Sequence, residues 1–123
     1  MQKAYENRLN AGTYRDDVQC QLRLQPDPRD EGRPPIVSWI SKRLLARLRH
    51  LALAYDLALL ARLPSDGSIV YPEIQLVSME DELAFLFEVV SDQVLLAAIA
   101  PMREMIKRAM HNPRGWLLVV EAP

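Results

Sequence analysis

The chain has 123 residues, half of them hydrophobic and a quarter charged, with a net charge of −1. Such a length suits one domain that buries roughly two-thirds of its unfolded surface, so folding requires no metal or disulfide, and the balance excludes wholesale disorder. The lone cysteine, Cys20, excludes an intramolecular disulfide and fits a reducing, cytoplasmic setting.

The opening Met-Gln-Lys-Ala-Tyr-Glu-Asn-Arg lacks the apolar core of a signal peptide, and residues 1–16 have no clear period and are expected to be a mobile arm or a short frayed helix. Val18, Cys20, Leu22 and Leu24 then alternate with Gln19, Gln21, Arg23 and Gln25, which predicts a strand with one buried and one wet face. Four prolines and a glycine between Pro26 and Pro35 predict a loop, with Pro35 placed to open a helix. Over 36–63 the residues Ile40, Leu44, Leu48, Leu51, Ala52, Tyr55 and Leu59 share one side at ~100° per residue, opposite Lys42, Arg43, Arg47, Arg49, His50 and Asp56. From Leu53 onward the apolar side chains Leu53, Leu57 and Leu60 continue along the polar arc, so this end of the helix needs cover on more than one side. As one piece the helix would run about 42 Å against a domain diameter of roughly 35 Å, so it must break or overhang into a partner. Asp56 interrupts its most apolar stretch, 51–61, which falls well short of the ~18 uncharged residues of a membrane span.

Pro64-Ser-Asp-Gly67 predicts a turn and 69–77 a strand, in which Pro72 suggests an edge or a bulge. Glu80, Asp81 and Glu82 fall in the expected hairpin connection. The run 83–90, apolar at both parities and rich in Phe and Val, is expected to be a central strand; the rival is a helix capped at Ser78 with Asp81 completing a capping box. Ser91 or Asp92 caps a second helix carrying Val94, Leu95, Ala98, Met102, Met105, Ile106 and Ala109 on one side, with its phase kept across Pro101. Asn112-Pro-Arg-Gly115 stops it, and Trp116–Val120 is a last strand. The order strand, helix, strand, strand, helix, strand is that of the α+β ferredoxin-like, split βαβ sandwich, expected here as one domain over 17–123. That architecture leaves one sheet face without helices. Strands apolar on both faces imply that a second copy of the chain covers it, which makes the expected assembly a homodimer.

Charge is segregated along the chain. Residues 36–63 carry five basic and one acidic residue, 64–91 carry six acidic and none basic, and no Lys or Arg occurs from Leu63 to Met102. The basic stripe Lys42, Arg43, Arg47 and Arg49 opposes the helix dipole and calls for an anion, with Asp27, Asp30 and Glu31 the nearest candidates and the acidic 73–88 segment the next. Catalytic and metal-binding inventories are thin: two histidines without ligand spacing, no Cys-x-x-Cys, and a cysteine at a buried parity, so no cofactor, metal or catalytic residue is expected. Glu80, Asp81 and Glu82 lack the spacing of a calcium loop and read as solubilising charge. The leading functional expectation is a non-enzymatic interaction or regulatory module acting as a homodimer, with Lys42, Arg43, Arg47, Arg49, Glu80, Asp81, Glu82, Leu53, Leu57 and Leu60 as candidate partner-binding residues. Three alternatives are an inhibitor or immunity-type protein presenting the acidic 64–91 surface to a basic partner, a small enzyme or ligand binder with an apolar cavity, and nucleic-acid binding by the basic helix face. Near-zero net charge and the lack of interleaved aromatics weigh against the last.

Overall fold

The structure, a computed structural model, describes residues 17–26, 34–113 and 115–123. The proposed arm over 1–16 and the candidate anions Asp27, Asp30 and Glu31 lie outside the described residues. The protein is mixed α+β. In chain order it forms β1 (Gln19–Gln25), β2 (Ile36–Ser41), α1 (Lys42–Ala54), a 3-10 turn (Leu60–Arg62), β3 (Gly67–Pro72), α2 (Glu73–Val89), α3 (Gln93–His111) and β4 (Leu117–Ala122). The four strands make one antiparallel sheet in the order β2-β1-β4-β3. This differs from the ferredoxin-like order expected above in two places, at 36–41 and at 73–90.

The first difference is a strand where a helix was expected. Ile36, Ser38 and Ile40 share a parity and pair with Leu24, Leu22 and Cys20, while Val37 and Trp39 face the other way. Ile36 and Ile40 are also one helical turn apart, so their spacing satisfies both periods. The helix that follows ends after one short run. Asp56 adopts a left-handed backbone with φ 57°. Its amide donates to the Leu53 carbonyl at 3.4 Å and that of Leu57 to the Ala52 carbonyl at 2.8 Å, a Schellman closure built without glycine.

The second difference is α2. The run 83–90 is not a central strand, and helix α2 passes through Ser78 and Asp81 without a cap there, its first turn beginning at Glu73 after Pro72. Both periods fit again: Leu76, Met79, Leu83 and Leu86, spaced 3-4-3, are buried, and the remaining apolar residues that made 83–90 look two-sided fall elsewhere on the helix.

The three helices of the described residues cover one face of the sheet. Cys20, Leu22, Leu24, Ile40, Tyr71, Leu118, Val120 and Ala122 share a single core with Leu44, Leu45 and Leu48 of α1, the buried seam of α2, and Leu95, Ile99, Met102, Met105 and Ile106 of α3. Cys20 is fully buried, which pushes its thiol upward in pKa. The opposite sheet face carries Val37 and Trp39 on one edge strand and Val70 on the other, all exposed. Between them Arg23 donates to Gln21 Oε1 at 2.7 Å, to Gln25 Oε1 at 3.1 Å and to Glu121 Oε1 at 3.0 Å. β1 therefore lays a polar row on this face beside Leu117 and Val119 of β4, so the face is mixed rather than uniformly apolar.

Candidate interaction surface

The charged residues singled out in the sequence are largely committed to holding the fold. Asp17, just before β1, accepts from the Ser41 hydroxyl, from the Arg43 amide at 3.2 Å and from Arg43 Nε at 3.3 Å. It thus supplies the carboxylate that α1 needs at its N-terminus, where Ser41 makes no side-chain cap of its own. The Ser41 bond, followed by the contacts of Arg43, holds the Asp17 carboxyl below its ordinary pKa. Arg47 Nη2 lies 2.8 Å from Asp92 Oδ2, and the other oxygen of Asp92 accepts from the Val94 and Leu95 amides at 3.1 and 3.2 Å. Asp92 therefore caps α3 and neutralises part of the stripe on α1 at once. Lys42 donates to the Pro123 carbonyl. Arg49 forms no ion pair among the described residues, and His50 beside it is exposed. Among the described residues, the anions facing the stripe are Asp17 and Asp92 rather than the 73–88 segment.

Glu80, Asp81 and Glu82 diverge because they sit on a helix, not in a hairpin connection. Successive residues point ~100° apart. Glu80 accepts from Arg103 Nε at 2.8 Å, and the same guanidinium lies 4.9 Å from the Phe87 ring centroid, so one arginine joins α3 to α2 by charge and by cation–π contact. Glu82 turns the other way and accepts from the Leu59 and Leu60 amides at 3.1 and 3.0 Å, capping the 3-10 turn. From the far side the Tyr71 hydroxyl donates to the Leu59 carbonyl at 2.7 Å. Burial first, then the charge of Glu82, raise the Tyr71 hydroxyl far above the usual phenol range. Asp81 projects into solvent between them.

The apolar candidates separate in the same way. Leu60 is fully buried, Leu57 is partly buried against the core, and of the three only Leu53 is exposed. The largest run of outward-facing apolar side chains was not anticipated: Ile74 is 86% exposed, Val77 53%, Phe85 38% and Val89 44%. With Ser78, Asp81 and Glu88 they fall within an arc of about 120° opposite the buried seam of α2. Tyr55, at the end of α1, packs edge-on against Phe85 with ring centroids 5.3 Å apart and planes at 77°. The exposed surface of α2 thus continues onto the end of α1, where Leu53 is also exposed. A sequence signal for this arc did exist. Residues 73–89 are apolar at too many positions for one helix face, a pattern that divides between strand 69–77 and the two-sided strand 83–90 in the sequence reading.

Among the described residues no group of His, Cys, Asp and Glu is arranged to hold a metal ion, and no helix is long and apolar enough to cross a membrane. No family model, no curated protein and no solved structure matches the chain.

Proposed function

We propose that the protein is a non-enzymatic protein–protein interaction or regulatory module that works as a homodimer. The outer arc of α2 carries this reading. A solvent-facing helix arc is ordinarily polar, whereas this one holds Ile74, Val77, Phe85 and Val89, and a contiguous apolar surface of that kind favours a covering partner. Two-fold pairing of identical chains is the commonest closed assembly and needs no second gene product. The competing readings lose residues to the fold. Glu73 accepts from the Trp116 amide at 2.9 Å, and with Glu80 and Glu82 also engaged, the acidic segment keeps only Asp66, Asp81 and Glu88 to lure a basic partner. A nucleic-acid surface would have to share Arg43 and Arg47 with Asp17 and Asp92. A single, fully buried thiol suits a reducing cytoplasm.

Light scattering at two widely separated concentrations tests the reading. The expected mass approaches twice the 14.1 kDa chain at the higher one and falls on dilution. Replacing Val77 and Val89 together by serine should shift that transition to higher concentration. A mass of one chain at every concentration overturns the proposal.

A further inference from the structure

We infer that the outer arc of α2 also takes a basic amphipathic helix from another protein, which competes with the second copy for the same surface; the competition rests on the homodimer reading. Asp81 lies midway across the arc, about 40° round the helix from Val77 on one side and from Phe85 on the other, and Glu88 lies about 20° from Asp81. Both carboxylates are exposed, and both stand among the apolar side chains rather than at their margin. Asp56 adds a third exposed carboxylate, next in sequence to the Tyr55 that packs on Phe85. None of the three forms an ion pair among the described residues. Helix α2 itself contains no Lys or Arg. The arc is therefore apolar and anionic at once.

A two-fold pair sets the arc against its own copy. In the parallel direction Asp81 meets Asp81 and Glu88 meets Glu88; in the antiparallel direction, centred on Asp81 at the midpoint of the helix, the two Asp81 side chains converge. Neither arrangement gives these carboxylates a cation from α2. A partner helix with Lys or Arg at matching positions would. Asp81 and Glu88 are separated by about 10.5 Å along the axis, two turns of helix, so a pair of cations at the same spacing meets both in either direction of pairing. Apolar residues beside those cations then cover Val77, Phe85 and Val89, while the methylene stems of the cations lie over the apolar side chains and their heads reach the carboxylates. From Ile74 to Val89 the arc is about 22 Å long, which four turns of a partner helix span. Exchange of the second copy for such a helix replaces like-charge contacts by opposite-charge contacts, and that difference drives the exchange.

Two synthetic helical peptides of about 18 residues test the competition, sharing one leucine stripe and differing at two positions two turns apart, Lys in one and Glu in the other. Followed by fluorescence anisotropy, the Lys peptide should bind the wild-type protein at least about tenfold more tightly than the Glu peptide. Light scattering should show the mass of two chains giving way to that of one chain with one peptide. In a variant carrying Asp81→Lys and Glu88→Lys the preference should reverse. Equal affinity for the two peptides would mean that the arc accepts any apolar helix, and no binding, or binding that leaves the dimer intact, would mean that nothing basic competes for it; each result overturns the inference, whereas dissociation on dilution without peptide still supports the homodimer. A chain monomeric throughout removes the homodimer and the competition together. Should the variant lose its helical circular dichroism, salt takes its place: wild-type affinity for the Lys peptide should fall severalfold between about 0.05 and about 0.5 M, and an affinity indifferent to salt overturns the charge match.

Discussion

Helices α2 and α3 pack against each other on the same side of one sheet, yet they treat solvent in opposite ways. The buried residues of α3, among them Leu95, Ile99, Met102, Met105, Ile106 and Ala109, form one stripe, and Glu104 and Arg108 are exposed outside it. A side-chain carboxylate, Asp92, caps its first turn. By contrast α2 begins after Pro72 with no side-chain cap, buries Leu76, Met79, Leu83 and Leu86, and then shows Ile74, Val77, Phe85 and Val89 to water. One helix is finished by the chain that contains it. The other has a second apolar face that the described residues leave uncovered, and that difference, more than any cluster of charges, is what the proposed interaction surface rests on.

The contrast can be broken or sharpened by substitution. Leu83→Ala, on the buried seam of α2, should cost about 2–5 kcal/mol of unfolding free energy in urea titrations, as a large-to-small change at a fully buried site does. On the outer arc of the same helix, Ile74→Ser should leave the monomer within about 0.5 kcal/mol of wild type. A similar loss at both positions would mean that the outer face is packed after all. Arg103→Leu should cost about 2 kcal/mol, because it removes the cation held between Glu80 and Phe87 and strands a largely buried carboxylate; adding Glu80→Leu in the same chain should recover most of that loss. Asp92→Ala uncaps α3 and should lower stability by about 1 kcal/mol, with no counterpart at the start of α2.

The smallest effect concerns pH. Because the folded protein holds the Asp17 carboxyl below its ordinary value, this group stabilises the fold fully above the unfolded-state pKa of about 3.9 and loses that contribution as pH falls through the folded-state value. Thermal midpoints followed from about pH 6 to about pH 2 should therefore decline less steeply in Asp17→Asn than in wild type. Parallel curves would remove Asp17 from the acid response.

Legibility followed the same divide. β1 and α3 were readable because each has a single period and a clear polar face, and β4 because Gly115 and Pro113 isolate it. The start of α1 was hidden by Ile36 and Ile40, which satisfy strand and helix spacing alike, and its end by Asp56, which takes a left-handed conformation normally signalled by glycine. α2 was misread because a helix apolar on two faces and a strand apolar on two faces present the same composition over eight residues. The basic stripe and the acidic run were plain in the sequence, but their partners were not. Asp17 and Asp92 reach α1 from distant parts of the chain, and Glu82 reaches the 3-10 turn 22 residues back.

The two phenylalanines of the chain offer the most direct test of the proposed pairing through the outer arc of α2, since Phe85 lies on that arc and Phe87 is held under Arg103 on the far flank of the helix. In fluorine NMR of protein labelled with fluorophenylalanine, the Phe85 resonance should move with concentration across the range in which the mass changes, while that of Phe87 stays fixed. A Phe85 signal that remains constant across that range would contradict pairing through the outer arc of α2.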